Sequence, residues 1–181
     1  MTRDEAFRLL AERLKNKNLF KHCLAVEACL KTLARKLGEN EHIWGLAGLL
    51  HDIDYEETGA DPTRHGLVGA ELLERLGLDD QLVRAVKAHS GHLPPSSNLD
   101  WALFACDPLT GLIVASALMH PDKKLRALDV DFLRRRFKEK RFAAGANREQ
   151  IGACKNLGME LDDFMQVCLE GMQGVSEDLG L

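Results

Sequence analysis

The residues best equipped for chemistry are His22, the adjacent pair His51 and Asp52, His89 and Asp107, with His65 in the segment between them. Imidazole and carboxylate are ligands for borderline and hard divalent ions, and a neighbouring His-Asp pair can place two ligands at one helix end. A cation held by such a set activates water and neutralises oxygen charge, so the chemistry on offer is metal-assisted hydrolysis, with Asp52 and His51 as its expected catalytic centre. A lone inward histidine is ordinarily satisfied by a carbonyl or a carboxylate. The set asks for more, because Asp52 and Asp107 cannot be buried cheaply without cations or donors beside them.

Elements that could position these residues follow from hydrophobic spacing. Apolar residues recur at intervals of three and four nearly everywhere, and no stretch sustains a two-residue alternation, which predicts an all-α helical bundle. Helices are expected over 2–16, 18–37, 40–52, 62–77, 79–89, 98–119, 130–139, 147–157 and 160–178. Thr2 with Glu5 forms a capping-box signal, Asn147 with Gln150 repeats its type, and Asp61 before Pro62 marks a third start. Gly38 is a C-cap candidate. Pro108 directly after Asp107 predicts an interruption of the helix over 98–119, because proline removes a backbone donor and disfavours helical geometry before it. The stretches 92–98 and 56–61 read as loops. On these helices the site residues face inward. His22 stands four residues before Val26 in the stripe Leu19, Val26, Leu30, Leu33, Leu37; His51 continues Ile43, Ala47 and Leu50; His89 follows Val86 by three; Asp107 follows Leu103 by four.

The chain of 181 residues fits one domain, 1–181, which would bury roughly 70% of its unfolded surface. No apolar run is read as approaching the roughly 18 residues of a membrane span. The acidic start Met-Thr-Arg-Asp-Glu reads as neither a secretory signal nor a transit peptide, so a soluble, cytoplasmic protein without a membrane partner is expected. Cys23, Cys29, Cys106, Cys154 and Cys168 are unclustered and lack any CxxC, as reduced core thiols would be. With 24 basic and 28 acidic residues, nonspecific nucleic-acid binding is not expected, and homo-oligomerisation is left open. One local exception is Pro121 to Arg141, where nine basic residues face four acidic ones.

His22, then Leu-Leu-His51-Asp52-Ile-Asp-Tyr, then Asp107 resemble the H…HD…D order of the HD superfamily of metal-dependent phosphohydrolases, over about residues 18–115. The apolar run from Gly45 into His51-Asp52 strengthens the likeness. The resemblance implies a helical bundle in which His22, His51, Asp52 and Asp107 hold a first divalent ion. Members with two ions insert two further histidines, and the segments around His65 and His89 look like those insertions; Asp52 would then bridge. Iron, manganese or cobalt would suit the set. His92 is an alternative to His89, which is preferred, and His42 and His120 read as solvated. Many relatives read His-Asp-Ile-Gly-Lys, whereas Asp54 and Tyr55 follow Ile53 here, and the Gly-Tyr-Pro signature of cyclic-dinucleotide enzymes is absent, which argues against that activity. The segments Asp107 to Ala115 and Lys138 to Arg148 resemble a subgroup of small stand-alone HD hydrolases, with about 120–181 as a C-terminal helical extension.

The function implied is hydrolysis of a phosphomonoester or phosphodiester of a small metabolite, a nucleotide first among them. Lys140 and Arg148 are expected to contact phosphate, with Arg64 a further candidate, while Arg134 to Arg136 read as a solvated helix face. Asp54 either orients a ligand from behind or only caps the helix end, and the reading as a cap or a solvated carboxylate is preferred. Two other functions fit the same residues: a di-iron oxygenase, and a non-catalytic sensing or binding module that keeps its metal for stability.

Overall fold

The computed structural model describes residues 1–181. The chain is helical throughout, without strands. In order come α1 (Arg3–Arg13), α2 (Lys17–Leu37), α3 (Glu41–Leu50), α4 (Tyr55–Thr58), α5 (Leu67–Arg75), α6 (Asp80–His89), α7 (Asn98–Met119), α8 (Val130–Lys138), α9 (Arg148–Gly152), α10 (Leu161–Gly174) and α11 (Ser176–Leu179). Short 3-10 turns lie at Leu125–Ala127 and Ala153–Leu157.

Helix α2 starts where the Asn16 side chain accepts from the backbone of Asn18 and Leu19, and stops where Gly38 takes φ +73°. Its buried stripe packs against α3, α7 and α10. Helix α3, capped by Asn40, approaches α2 most closely at Gly48. A Cβ there would stand 2.7 Å from Glu27 N and 2.8 Å from the carbonyl carbon of Val26. Only a glycine lets the helices that carry His22 and His51 come so near. Around this pair a single cluster of buried side chains gathers, including Leu30, Leu33, Leu50, Leu103, Leu112 and Phe164. The accessible surface, 8988 Å², is close to the ~8,800 Å² expected of a compact monomer of this mass.

Helix α7 runs unbroken through Pro108, contrary to the expected interruption. Proline in a helix interior costs about 3 kcal/mol. Burying Leu103, Leu109, Leu112 and Ile113 completely contributes roughly 1.5–3 kcal/mol each, which outweighs it. By length and composition α7 could cross a membrane, with a mean hydropathy of 1.7 over an 18-residue window, so the reading that no apolar run approaches that length is corrected; 56% of that window is buried inside the bundle.

Other boundaries also moved. Asp61 caps a turn through Thr63, and α5 begins only after Gly66, whose φ of +80° no helix can continue. Asn147 accepts from the backbone of Glu149 and Gln150, and the helix after it tightens into a 3-10 turn at Ala153. The last long helix ends at Gly174, and Tyr55–Thr58 forms a single turn partly inside the stretch read as a loop. All five cysteines are free and buried. Burial pushes the thiols of Cys106 and Cys168 well up, as neutral members of the core.

Gly48→Ala should force α2 and α3 apart. Urea denaturation is expected to give a loss of about 1–3 kcal/mol, and an unchanged midpoint would mean that the close approach does not constrain the bundle.

Candidate metal centre

Three helices and two turns deliver the cluster. His22 comes from the first half of α2, and His51 and Asp52 from the turn that ends α3. His65 lies in the turn before α5, His89 is the last residue of α6, and Asp107 sits inside α7. Their inward atoms form two halves that share Asp52. In the first half His22 Nε2 lies 3.0 Å from Asp107 Oδ1 and 3.6 Å from Asp52 Oδ2, while His51 Nε2 lies 3.5 Å from Asp52 Oδ2, 3.9 Å from Asp107 Oδ1 and 3.2 Å from His22 Nε2. In the second half Asp52 Oδ1 is 3.3 Å from His65 Nε2 and 3.5 Å from His89 Nε2, and the two histidine nitrogens are 3.3 Å apart. His92 stays outside and places its Nε2 2.9 Å from the carbonyl of His65.

Every imidazole is gripped from behind at Nδ1. His51 donates to Gly48 O at 2.8 Å and His89 to Val86 O at 2.6 Å. His65 donates to Asp54 Oδ1 at 2.9 Å, and His22 to Thr110 Oγ1 at 3.1 Å, with the Thr110 hydroxyl passed on to Asp107 O at 2.9 Å. With Nδ1 as the donor, each neutral ring turns its Nε2 lone pair toward the centre. The four lone pairs and two carboxylates therefore face one another, and that arrangement calls for positive charge between them. Divalent cations fit this donor set and its pinned tautomers.

In the metal-free protein protons supply that charge. Burial pushes the His22 imidazole down, but its bond to Asp107 and the nearby charges reverse this and raise it to about 9. Burial acts likewise on His65, and its bonds to Asp52 and Asp54 raise it to about 10. His51, wholly enclosed, is lowered by burial and stays neutral. Against burial, the surrounding histidines hold Asp52 and Asp107 below the usual carboxylate range.

Asp54 is buried, which corrects the solvated alternative for its carboxylate. Besides His65 Nδ1, its carboxylate accepts from the backbone of Gly66 at 2.8 Å and Gly69 at 2.7 Å, so it caps α5 while orienting the imidazole. Gly66 must be glycine, since a Cβ would lie 2.1 Å from Ser90 Oγ.

The cluster opens on one side. Side-chain exposure falls from 33% at Asp107 and 23% at His22 to 8% at Asp52 and 0% at His51. Above the rim lies a hollow of about 420 Å³, bounded by Pro108, Gly111 and Ala115 of α7 and by Ala143, Gly145 and Ala146 across from it.

The expected phosphate contacts are not brought there. Arg148 donates from Nε to Phe137 O (3.3 Å), from Nη1 to Ala143 O (2.6 Å) and Ala146 O (2.7 Å), and from Nη2 to Glu139 O (3.4 Å) and Phe142 O. All five of its N–H groups are engaged, which leaves none for a phosphate. Lys140 lies on a separate, neighbouring hollow, and Arg64 pairs with Glu57 at the surface at 3.0 Å. Arg134 pairs with Asp131 and Asp162, and Arg136 pairs with Glu139. Sequence reasoning passed over Thr110, a polar residue three positions after Asp107 on the buried face of α7. It also passed over Tyr55 as a neighbour of the site, where its ring stands edge-on to His65 at 5.1 Å.

A family model described as "HD domain" matches residues 19–129. The chain belongs to the HD-domain family. Among curated proteins this HD chain is similar to ribonuclease Y of Desulfotalea psychrophila, 36% identical over 98 residues, which is 52% of this chain and 18% of the relative. Ribonuclease Y of Geobacter sulfurreducens is 34% identical over 100 residues, and that of Oleidesulfovibrio alaskensis 32% over 100 residues; each match covers 53% of this chain and 18% of the relative. The chain thus spans under a fifth of the length of these relatives. No solved structure gives a significant match.

Because raised histidines must lose their protons before they can ligate, metal affinity of this HD centre should rise with pH through about 9 to 10. The same protons stabilise the metal-free fold fully below about pH 6.5, and that contribution is lost as pH climbs through about 9 and 10. Titration calorimetry at pH 7.5 in buffers of different ionisation enthalpy is expected to read about two protons released on full loading with Mn²⁺. A heat independent of buffer would contradict the assignment.

Proposed function

We propose that the chain is a metal-dependent phosphohydrolase whose six clustered side chains would hold two divalent ions, with the Asp52 carboxylate facing both halves of the site. The observation that carries this reading is the division of the Asp52 carboxylate, Oδ2 toward His22 and His51 and Oδ1 toward His65 and His89. A pair of such ions supplies Lewis acidity toward phosphoryl oxygens and an activated water. The protein contributes orientation. Gly48, Val86, Asp54 and Thr110 fix the imidazoles, so no ring has to reorganise when a substrate arrives.

Asp107 and His22, on the rim, are the groups a substrate meets first. His51 and His89 form the floor, closed to water. No arginine or lysine side chain lines the hollow above the rim, so charge neutralisation on a phosphoryl group is what divalent ions held by the cluster would supply. The substrate in this reading is a small phosphoester. The relatives carry the name ribonuclease, which makes a phosphodiester between nucleotides the first to test, ahead of phosphomonoesters.

The test compares Mn²⁺-loaded wild type, metal-stripped wild type and Asp52→Ala on a panel of nucleotide and dinucleotide phosphoesters. Turnover by the loaded wild type is expected, with both other samples at background. A fully loaded preparation inert to the whole panel would overturn the reading.

A further inference from the structure

Gly111 follows Asp107 by one helical turn, so the two share a face of α7. Glycine in a helix interior lowers stability relative to alanine, and packing usually explains its presence. Here packing does not. A Cβ at Gly48 or Gly171 would strike backbone of the neighbouring helix at 2.7 Å, whereas one at Gly111 would meet nothing within 4 Å, and its backbone is not in the left-handed region. Gly152 and Gly174 are equally open, but they end their helices, where glycine costs little.

The space over Gly111 leads to the reactive cluster. The residue lines the 420 Å³ hollow above Asp107 and also a second hollow of about 500 Å³ bordered by Asn18, Lys21, Val114 and Leu118; His22 is common to both. Across from it the wall is small and fixed. Arg148 draws in the carbonyls of Ala143 and Ala146, and Ala143 is held at φ +43°, a conformation alanine rarely adopts.

We propose that Gly111 is a specificity-determining residue: its missing side chain keeps open the trough in which the organic part of a phosphoester lies while the phosphoryl group meets His22 and Asp107. The inference rests on the phosphohydrolase reading. Arg148 holds the carbonyls of Ala143 and Ala146 on the opposite wall.

The experiment uses Mn²⁺-loaded wild type, Gly111→Ala and Gly111→Leu, with thermal melting and calorimetric binding of orthophosphate and of phenylphosphonate, whose C–P bond resists hydrolysis. Gly111→Ala is expected to melt about 2–4 °C higher, as removal of an exposed mid-helix glycine should give. Gly111→Leu should weaken phenylphosphonate at least about tenfold while orthophosphate changes by less than about threefold. Phenylphosphonate bound equally well by all three proteins, or a lower melting temperature for Gly111→Ala, would overturn the inference alone. Failure of loaded wild type to bind either anion would instead strike the phosphohydrolase reading, and this inference would fall with it.

Discussion

Four imidazole lone pairs and two carboxylates turned toward one small space form an arrangement that cannot stand without positive charge in its midst. Like partial charges at 3.0 to 3.9 Å repel strongly where water is excluded, and the floor of the cluster is dry. The protein nonetheless commits backbone and side chains to that orientation. Two carbonyls, one carboxylate and one hydroxyl occupy the outer nitrogens, so no ring is free to turn away. Protons on His22 and His65 can relieve the strain one half at a time, and those are the two halves into which Asp52 divides the site.

The bundle is arranged to serve this convergence. Gly48 admits α3 against α2 and offers the carbonyl that grips His51, so one residue sets both the helix spacing and a tautomer. Asp54 accepts from the backbone of Gly66, just before α5, and of Gly69 in its first turn, and fixes His65 with the same carboxylate. Helix α7 tolerates Pro108 because its apolar burial is large, and it thereby presents Asp107, Thr110 and Gly111 on successive parts of one element. The segment after α8, drawn together by Arg148, closes the far side.

The helices were legible in the sequence because they depend on local spacing, and so was the inward placement of His22, His51, His89 and Asp107, while the ligand roles, and His65 among them, were implied by the resemblance to the HD superfamily. An inward histidine reveals itself by its offset from a leucine stripe, as His22 does from Val26 and Leu30, and His51-Asp52 by the apolar helix that runs into it. What stayed hidden depends on contacts between distant segments. Arg148 read as a phosphate contact because a cation near a small-residue segment has two uses, and only the fold shows its N–H groups spent on backbone carbonyls. The burial of Asp54 stayed hidden since nothing local announces the donors of Gly66 and Gly69. Pro108 read as a break because its local cost is plain, while the compensating burial is tertiary.

The central claim concerns where cations sit, and anomalous diffraction from crystals of the Mn²⁺-loaded protein tests it most directly. Two peaks are expected about 3.5–4 Å apart, one among His22, His51 and Asp107, the other between His65 and His89, with one oxygen of Asp52 on each. Manganese found only at sites remote from the Asp52 carboxylate would contradict the account.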